Sequence, residues 1–324
     1  MADVLKVLAI DGGGIRGVIP AMVLGEIESR TGKRIAELFD LIAGTSTGGI
    51  LAVGLVKPDG AGRPQYSVSE LEQLYEREGP RIFARPFWHS VVSLGSLGDE
   101  KYASDGIESV LREYFGEARL KDAVTETLVT SYELESRDPW FFARWKARES
   151  PENDFPMRFV ARATSAAPTY FEPEELPATR PHGGLIDGGV YANNPAMCAY
   201  VEMKKLEPDN DHVLLLSLGT GQHTDPIHYA DAKGWGLAKW AIPILDVVFD
   251  GVSDTVDHQM KVLCKEHEGD PRYYRFQTKL TNVADEMDNA NPGNIAALKR
   301  KAEELIADQA ADLEKVCRAL APPG

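Results

Sequence analysis

The chain has 324 residues, 43% of them hydrophobic and 26% charged, with a formal net charge of −15. That length suits one large α/β domain, or a core with a helical extension. The acidic balance excludes a general nucleic-acid binder and broad electrostatic adhesion to anionic membranes, both of which need a basic footprint. Three cysteines, Cys198, Cys264 and Cys317, are far apart without metal-ligand spacing, which fits reduced thiols and a cytoplasmic setting. The N-terminus reads as neither a secretory signal nor a membrane span, because Val4–Ile10 is short, carries Lys6 and runs into a glycine motif.

Val4–Ile10 reads as a buried parallel strand. It runs into Asp11-Gly-Gly-Gly-Ile-Arg-Gly17, and a helix follows from Val18 to about Arg30. Gly12, Gly14 and Gly17 satisfy G-x-G-x-x-G, the pattern of a dinucleotide loop. That reading requires an acid at the end of the second strand. The second strand, Leu41–Ala43, ends instead in Gly44-Thr-Ser-Thr-Gly48. Consecutive glycines after a strand also expose backbone N–H groups as an anion nest, a second use for the same loop. Arg16 either locks that loop, senses a phosphate or lies in solvent.

Gly44-Thr45-Ser46-Thr47-Gly48 is G-x-S-x-G with a strand before it and an apolar helical segment, Gly49–Val56, after it. In that context it reads as a nucleophile elbow: a sharp strand-to-helix turn pushes the Ser46 hydroxyl out near the positive end of a helix. The competing reading is a glycine-rich turn with an incidental serine.

Ser67-Val-Ser-Glu70 forms a capping box for a helix to Glu78. Residues 81–102 are irregular, and Arg81, Arg85 and His89 alternate with Phe83, Phe87 and Trp88. They form either a lid or membrane-contacting rim, or a surface loop that tucks its aromatics inward. Ser104 caps an amphipathic helix closed by Gly116. Strands are expected over Thr127–Leu134 and Trp140–Phe142, and a small-faced helix over Phe155–Ala167.

Gly183-Gly-Leu-Ile-Asp-Gly-Gly189 sets Asp187 between a short strand and the Gly188-Gly189 turn. It reads as a base or as an ordinary Asx-turn residue. Asn193-Asn-Pro195 opens a helix to about Leu206, and His212–Leu218 is another buried strand, ending in Gly219-Thr-Gly221. Residues 234–265 carry helical patterns that Pro243 and Gly251 interrupt, Tyr273–Phe276 suggests a late strand, and one long helix follows Asn291-Pro292. None of the seven histidines takes a convincing strand-end position, and His182 reads as a loop residue.

Asp11–Gly17, Gly44–Gly48 and Asp187–Gly189, in this order, together with Ala161–Phe171, resemble the patatin-like phospholipase family across roughly residues 4–220. The resemblance implies a three-layer α/β/α fold with a mostly parallel central sheet, a nucleophile elbow and C-terminal helices. The expected organisation is a single domain over 1–324, with a catalytic core of about 4–220 and a mainly helical extension of about 221–324. It further implies a Ser46–Asp187 dyad, oxyanion donors from Gly12, Gly13 and Gly14 with Arg16 supporting them, and no metal or other cofactor. Gly17, Gly44, Gly48, Gly188 and Gly189 are the remaining motif glycines. The expected partner is a phospholipid or other acyl-ester lipid, met by transient contact at a membrane surface and not by nucleic acid. An acyltransferase or thioesterase with the same dyad, and a nucleotide-binding regulatory module with an idle serine, are the alternatives.

Overall fold

The structure is a computed structural model that describes residues 4–83, 104–178, 183–241, 243–264, 272–281, 283–284 and 286–322. Arg85, Phe87, Trp88, His89 and His182, named above for a rim or a loop, lie outside the described residues.

The sheet grows from four apolar runs. β1 (Leu5–Ile10), β2 (Leu41–Thr45), β3 (Glu126–Glu133) and β7 (Val213–Leu218) lie side by side, with β8 (Tyr273–Phe276) beyond β7. All four junctions in the order β3-β2-β1-β7-β8 are parallel. β4 (Asp138–Ala143) and β6 (Gly184–Asp187) pair with β3 antiparallel, and β5 (Glu174–Glu175) continues from β6. Near-continuous apolar strands require cover on both faces. Alternate residues supply it: Leu8, Ile10 and Ile42 enter one core cluster, while Val7, Ala9 and Leu41 enter another.

The first face packs the Val18–Thr31 and Thr47–Val56 helices, along with Leu298, Ala302, Leu305 and Leu313 from the C-terminal helices. The second takes Ala196, Ala199 and Met203 of the Ala196–Leu206 helix, and Val256 and Met260 of Pro243–Leu263. The result is three layers, helices–sheet–helices.

Several local expectations change. The Ser67 capping box forms, with Ser67 N–H on Glu70 at 2.7 Å and Glu70 N–H on Ser67 at 3.3 Å, but the helix then widens to a π-turn over Leu74–Glu78. Ser104 makes no cap bond; its hydroxyl accepts from Arg162 at 2.8 Å. The small-faced helix spans Met157–Thr164 only. Pro243 begins a helix that continues through Gly251 to Leu263, because a proline in the first turn lacks only an N–H that has no helical partner there. The expected single C-terminal helix is two, Pro292–Asp308 and Ala310–Leu320, parted at Gln309. No helix among the described residues is long and apolar enough to cross a membrane.

Candidate active site

One residue separates β2 from the Thr47–Val56 helix. Ser46 has φ 55° and ψ −124°, a conformation that costs a serine ~1–3 kcal/mol. Its surroundings enforce it. A Cβ on Gly44 would strike the backbone of Gly48 and Gly49, and one on Gly48 would strike the carbonyls of Ile10 and Asp11. Neither position therefore admits a side chain. The Ser46 N–H donates to Thr164 Oγ1 at 2.8 Å, and that hydroxyl donates to the Thr130 carbonyl at 2.7 Å. Thr45 Oγ1 ties to the Ala192 carbonyl at 2.6 Å and lies 2.7 Å from Thr130 Oγ1. The elbow is thus pinned to β3 by hydroxyls on the strand and on the Met157–Thr164 helix.

β3 also delivers Asp187. β4 pairs with residues 128–133 of β3, overlapping the stretches paired with β2 and with β6, so β2 and β6 share the opposite edge. β2 runs parallel and ends at the Thr45–Thr130 pair. β6 runs antiparallel and ends at the Ser131–Asp187 pair. Two strands therefore stop head to head on adjacent residues of one ladder, and Ser46, which follows β2, and Asp187, the last residue of β6, line the same cavity.

Asp187 is 1% exposed. Its Oδ1 accepts the Gly189 N–H at 2.7 Å, while Oδ2 is buried without a hydrogen bond of full geometry among the described residues. Burial pushes the carboxyl up to about 7; the nearby Ser46 hydroxyl and the Gly189 amide oppose that rise. The Asx-turn contact to Gly189 and the buried, elevated carboxyl thus belong to the same residue.

β1 leads into the glycine loop. Asp11 is buried, and Arg275 grips it from β8, Nη1 to Oδ1 at 2.9 Å and Nη2 to Oδ2 at 2.5 Å, with a further bond from Nη1 to Ser217 at 2.8 Å. The Gly12 N–H donates to the Asn193 carbonyl at 3.0 Å. That hydrogen is therefore engaged with another segment, so of the three expected donors Gly12 is the one already held. The Gly13 and Gly14 amides have no partner among the described residues, and Gly14 lines the cavity. Arg16 is buried; Nε donates to the Gly13 carbonyl at 3.2 Å and Nη1 meets His223 Nε2 at 2.8 Å. These contacts tie Arg16 to the glycine loop. Gly17 packs close to Thr47 and Tyr75, which themselves share a 2.8 Å hydrogen bond.

The cavity holds about 60 Å³ and is mostly apolar away from Ser46, Asp187 and Gly14, with Ile50, Leu74, Ile82, Phe83 and Phe249 among its walls. Phe83 is tucked inward, and Arg81 pairs with Glu113 at 2.5 Å and Glu78 at 3.1 Å, which leaves that end of the expected rim packed. Among the described residues no cluster of three or more His, Cys, Asp or Glu is placed to hold a metal ion. Sequence reasoning missed Arg275, although a lone arginine within Tyr-Tyr-Arg-Phe is a usable signal. It also missed the polar contacts of Thr164, Thr130, Thr220 and His223, which are long-range.

Fold and site together define a three-layer α/β protein with a serine elbow beside a desolvated carboxylate, facing a glycine loop across an apolar cavity. The patatin-like phospholipase family model matches residues 8–200. "Patatin-like protein 2" of Arabidopsis thaliana is 33% identical over 338 residues, covering 94% of this chain and 83% of its own. "Patatin-T5" of Solanum tuberosum is 30% identical over 334 residues, covering 94% and 84%. The chain belongs to the patatin-like phospholipase family, which implies lipid acyl hydrolase activity. Among solved structures, VipD from Legionella pneumophila is 13% identical, covering 94% of this chain and 67% of that one, at a TM-score of 0.37.

Proposed function

We propose that the chain is a phospholipase A-type acyl hydrolase working through a Ser46–Asp187 dyad. The observation that supports this reading is the head-to-head ending of β2 and β6 on β3, with Ser46 and Asp187 both lining one cavity. A serine hydroxyl needs a neighbour to take its proton. A carboxyl raised to about 7 has the basicity of a histidine, so it can accept that proton near neutrality.

In the reaction, Ser46 Oγ attacks the ester carbonyl as its proton passes to Asp187. The amides of Gly13 and Gly14 receive the oxyanion, aided by the positive end of the Thr47–Val56 helix. Collapse breaks the ester C–O bond, and the departing alcohol takes the proton from Asp187. Water then attacks the acyl-serine, with Asp187 again as the base, and releases the fatty acid and Ser46. The apolar cavity walls suit an acyl chain.

Exposed apolar side chains support the reading of transient contact with lipid. Leu237 is 95% exposed, and Ile244 and Val247 project near the start of the Pro243–Leu263 helix, whose Phe249 reaches the cavity. Apolar side chains there suit shallow insertion into the interface without requiring a basic patch.

The test is a product assay on phospholipid vesicles, with wild type compared to Ser46→Ala. Free fatty acid and lysophospholipid from wild type alone are the expected result. Equal products from Ser46→Ala would overturn the dyad, and predominant acyl transfer to an added alcohol or thiol acceptor would make the chain a transferase.

A further inference from the structure

We infer that the Gly219–His223 turn is the positioning element of the oxyanion loop, with Thr220 and His223 setting the direction of the Gly13 and Gly14 amides. The inference rests on the acyl hydrolase reading above and adds residues from a distant part of the chain to it.

In a trans peptide, the carbonyl of one residue and the N–H of the next point in opposite directions, and the plane between them is rigid. Whatever holds the Gly12 carbonyl therefore aims the Gly13 N–H, and whatever holds the Gly13 carbonyl aims the Gly14 N–H. Both carbonyls are held. Thr220 Oγ1 donates to the Gly12 carbonyl at 2.6 Å. Arg16 Nε donates to the Gly13 carbonyl at 3.2 Å. These are the planes whose N–H groups have no partner among the described residues.

His223 completes the second hold. A guanidinium only donates, so in its 2.8 Å contact with Arg16 Nη1 it is His223 Nε2 that accepts. That contact steadies Arg16 at the Gly13 carbonyl. Glycines have no side chain to restrict them, so these contacts, with the Arg16 N–H on the Gly13 carbonyl at 3.2 Å, are what limit the turning of the two planes.

The turn is itself rigidly mounted. Gly219 N–H donates to the Phe276 carbonyl at 2.8 Å, and Gly221 N–H to Gln277 Oε1 at 2.8 Å. Gln222 N–H donates to the Thr278 carbonyl at 2.8 Å, and the Leu280 N–H returns to Gln222 at 2.9 Å. The strand that anchors this turn, β8, also carries Arg275, which fixes Asp11 at the start of the glycine loop. Residues far beyond the family's glycine and serine motifs thus set the geometry on which transition-state stabilisation depends.

The test uses the full chain and a soluble p-nitrophenyl ester. Thr220→Val removes the hold on the Gly12 carbonyl and His223→Leu removes the brace on Arg16; Thr220→Ser and His223→Gln retain a hydroxyl donor and an acceptor. The expected result is a fall in kcat of about 10- to 100-fold for Val and Leu, somewhat less than deletion of an oxyanion donor, with KM within about twofold. Affinity for a long-chain trifluoromethyl ketone, whose adduct carries the oxyanion, should fall in parallel, and Ser and Gln should recover most of both. A purely structural role would lower the melting temperature without this pairing of kcat and ketone affinity. Should Thr220→Val fold poorly, the His223 pair, at a half-buried loop position, decides the same question. Unchanged kcat and ketone affinity in Thr220→Val and His223→Leu, with Ser46→Ala inactive, would overturn the inference and leave the dyad standing. Activity in Ser46→Ala would instead remove the dyad itself.

Discussion

Asp187→Asn should inactivate the protein and stabilise it, by an amount that depends on pH. Burial raises the carboxyl from its ordinary 3.8 to about 7. Ionising it in the folded chain therefore costs roughly 4 kcal/mol more than in the unfolded chain. The sign follows from where the proton is held more tightly. Below the unfolded value of 3.8, both states carry it and there is no penalty. As pH rises from there to about 7, the unfolded chain releases its proton first, and wild type loses stability. Above that the full penalty is present. Asparagine avoids it, and its Oδ1 still accepts the Gly189 amide. Urea unfolding near pH 8 should show the variant more stable by roughly 2–4 kcal/mol, and near pH 4 the gap should close. Ester hydrolysis should meanwhile fall by about 10²–10⁴-fold. A stability gap that stays flat across pH, or an asparagine variant weaker than wild type near pH 8, would refute the desolvation argument.

Three further outcomes are expected. The kcat/KM of wild type on an uncharged soluble ester should decline tenfold per pH unit below about 7, with a limb that follows the carboxyl of Asp187; a limb near the ordinary value of a solvated aspartate would contradict its role as a desolvated base. Ser46→Gly should be inactive yet more stable by about 1 kcal/mol in denaturant melts, because glycine accepts φ 55° without strain, and a clear loss of stability would remove the strain argument. Arg275→Met should cost about 3–5 kcal/mol by leaving the Asp11 carboxylate buried without its partner, and adding Asp11→Asn should restore part of that loss; equal stabilities of single and double variants would show that the pair is uncoupled.

What the sequence disclosed was local backbone geometry. Gly44 and Gly48 declare a turn in which a Cβ has no room, and those constraints depend on near neighbours and one adjacent strand. The buried strands were equally plain, because full burial on both faces writes an unbroken apolar run. The long-range contacts were hidden. Arg16 meets His223 across 207 positions and Arg275 meets Asp11 across 264, and no periodicity records such partners. The same limit explains Gly12, whose amide turns to a carbonyl on another segment. Gly251 reads as a break because an interior glycine costs a helix about 1 kcal/mol, but burying Phe249, Ser253, Val256 and Met260 offsets that cost. The break at Gln309 was invisible because buried positions continue from Leu305 to Leu313 and Val316 on both sides of it.

The proposed dyad also explains how a base can act without a third residue to orient it. A histidine on a loop can turn about two side-chain bonds and needs a partner to fix its tautomer and direction. Asp187 sits at the last pair of a β-ladder, one residue along β3 from the pair that ends β2, so the sheet fixes its backbone relative to Ser46. One methylene separates that backbone from the carboxyl, and the Gly189 amide holds one of its two oxygens. Orientation therefore comes from the sheet. What an aspartate lacks in water is basicity at neutral pH, and closure of the sheet end by the surrounding helices supplies it through desolvation. Exposing the carboxyl to water, without moving it, should abolish its function as surely as removing it.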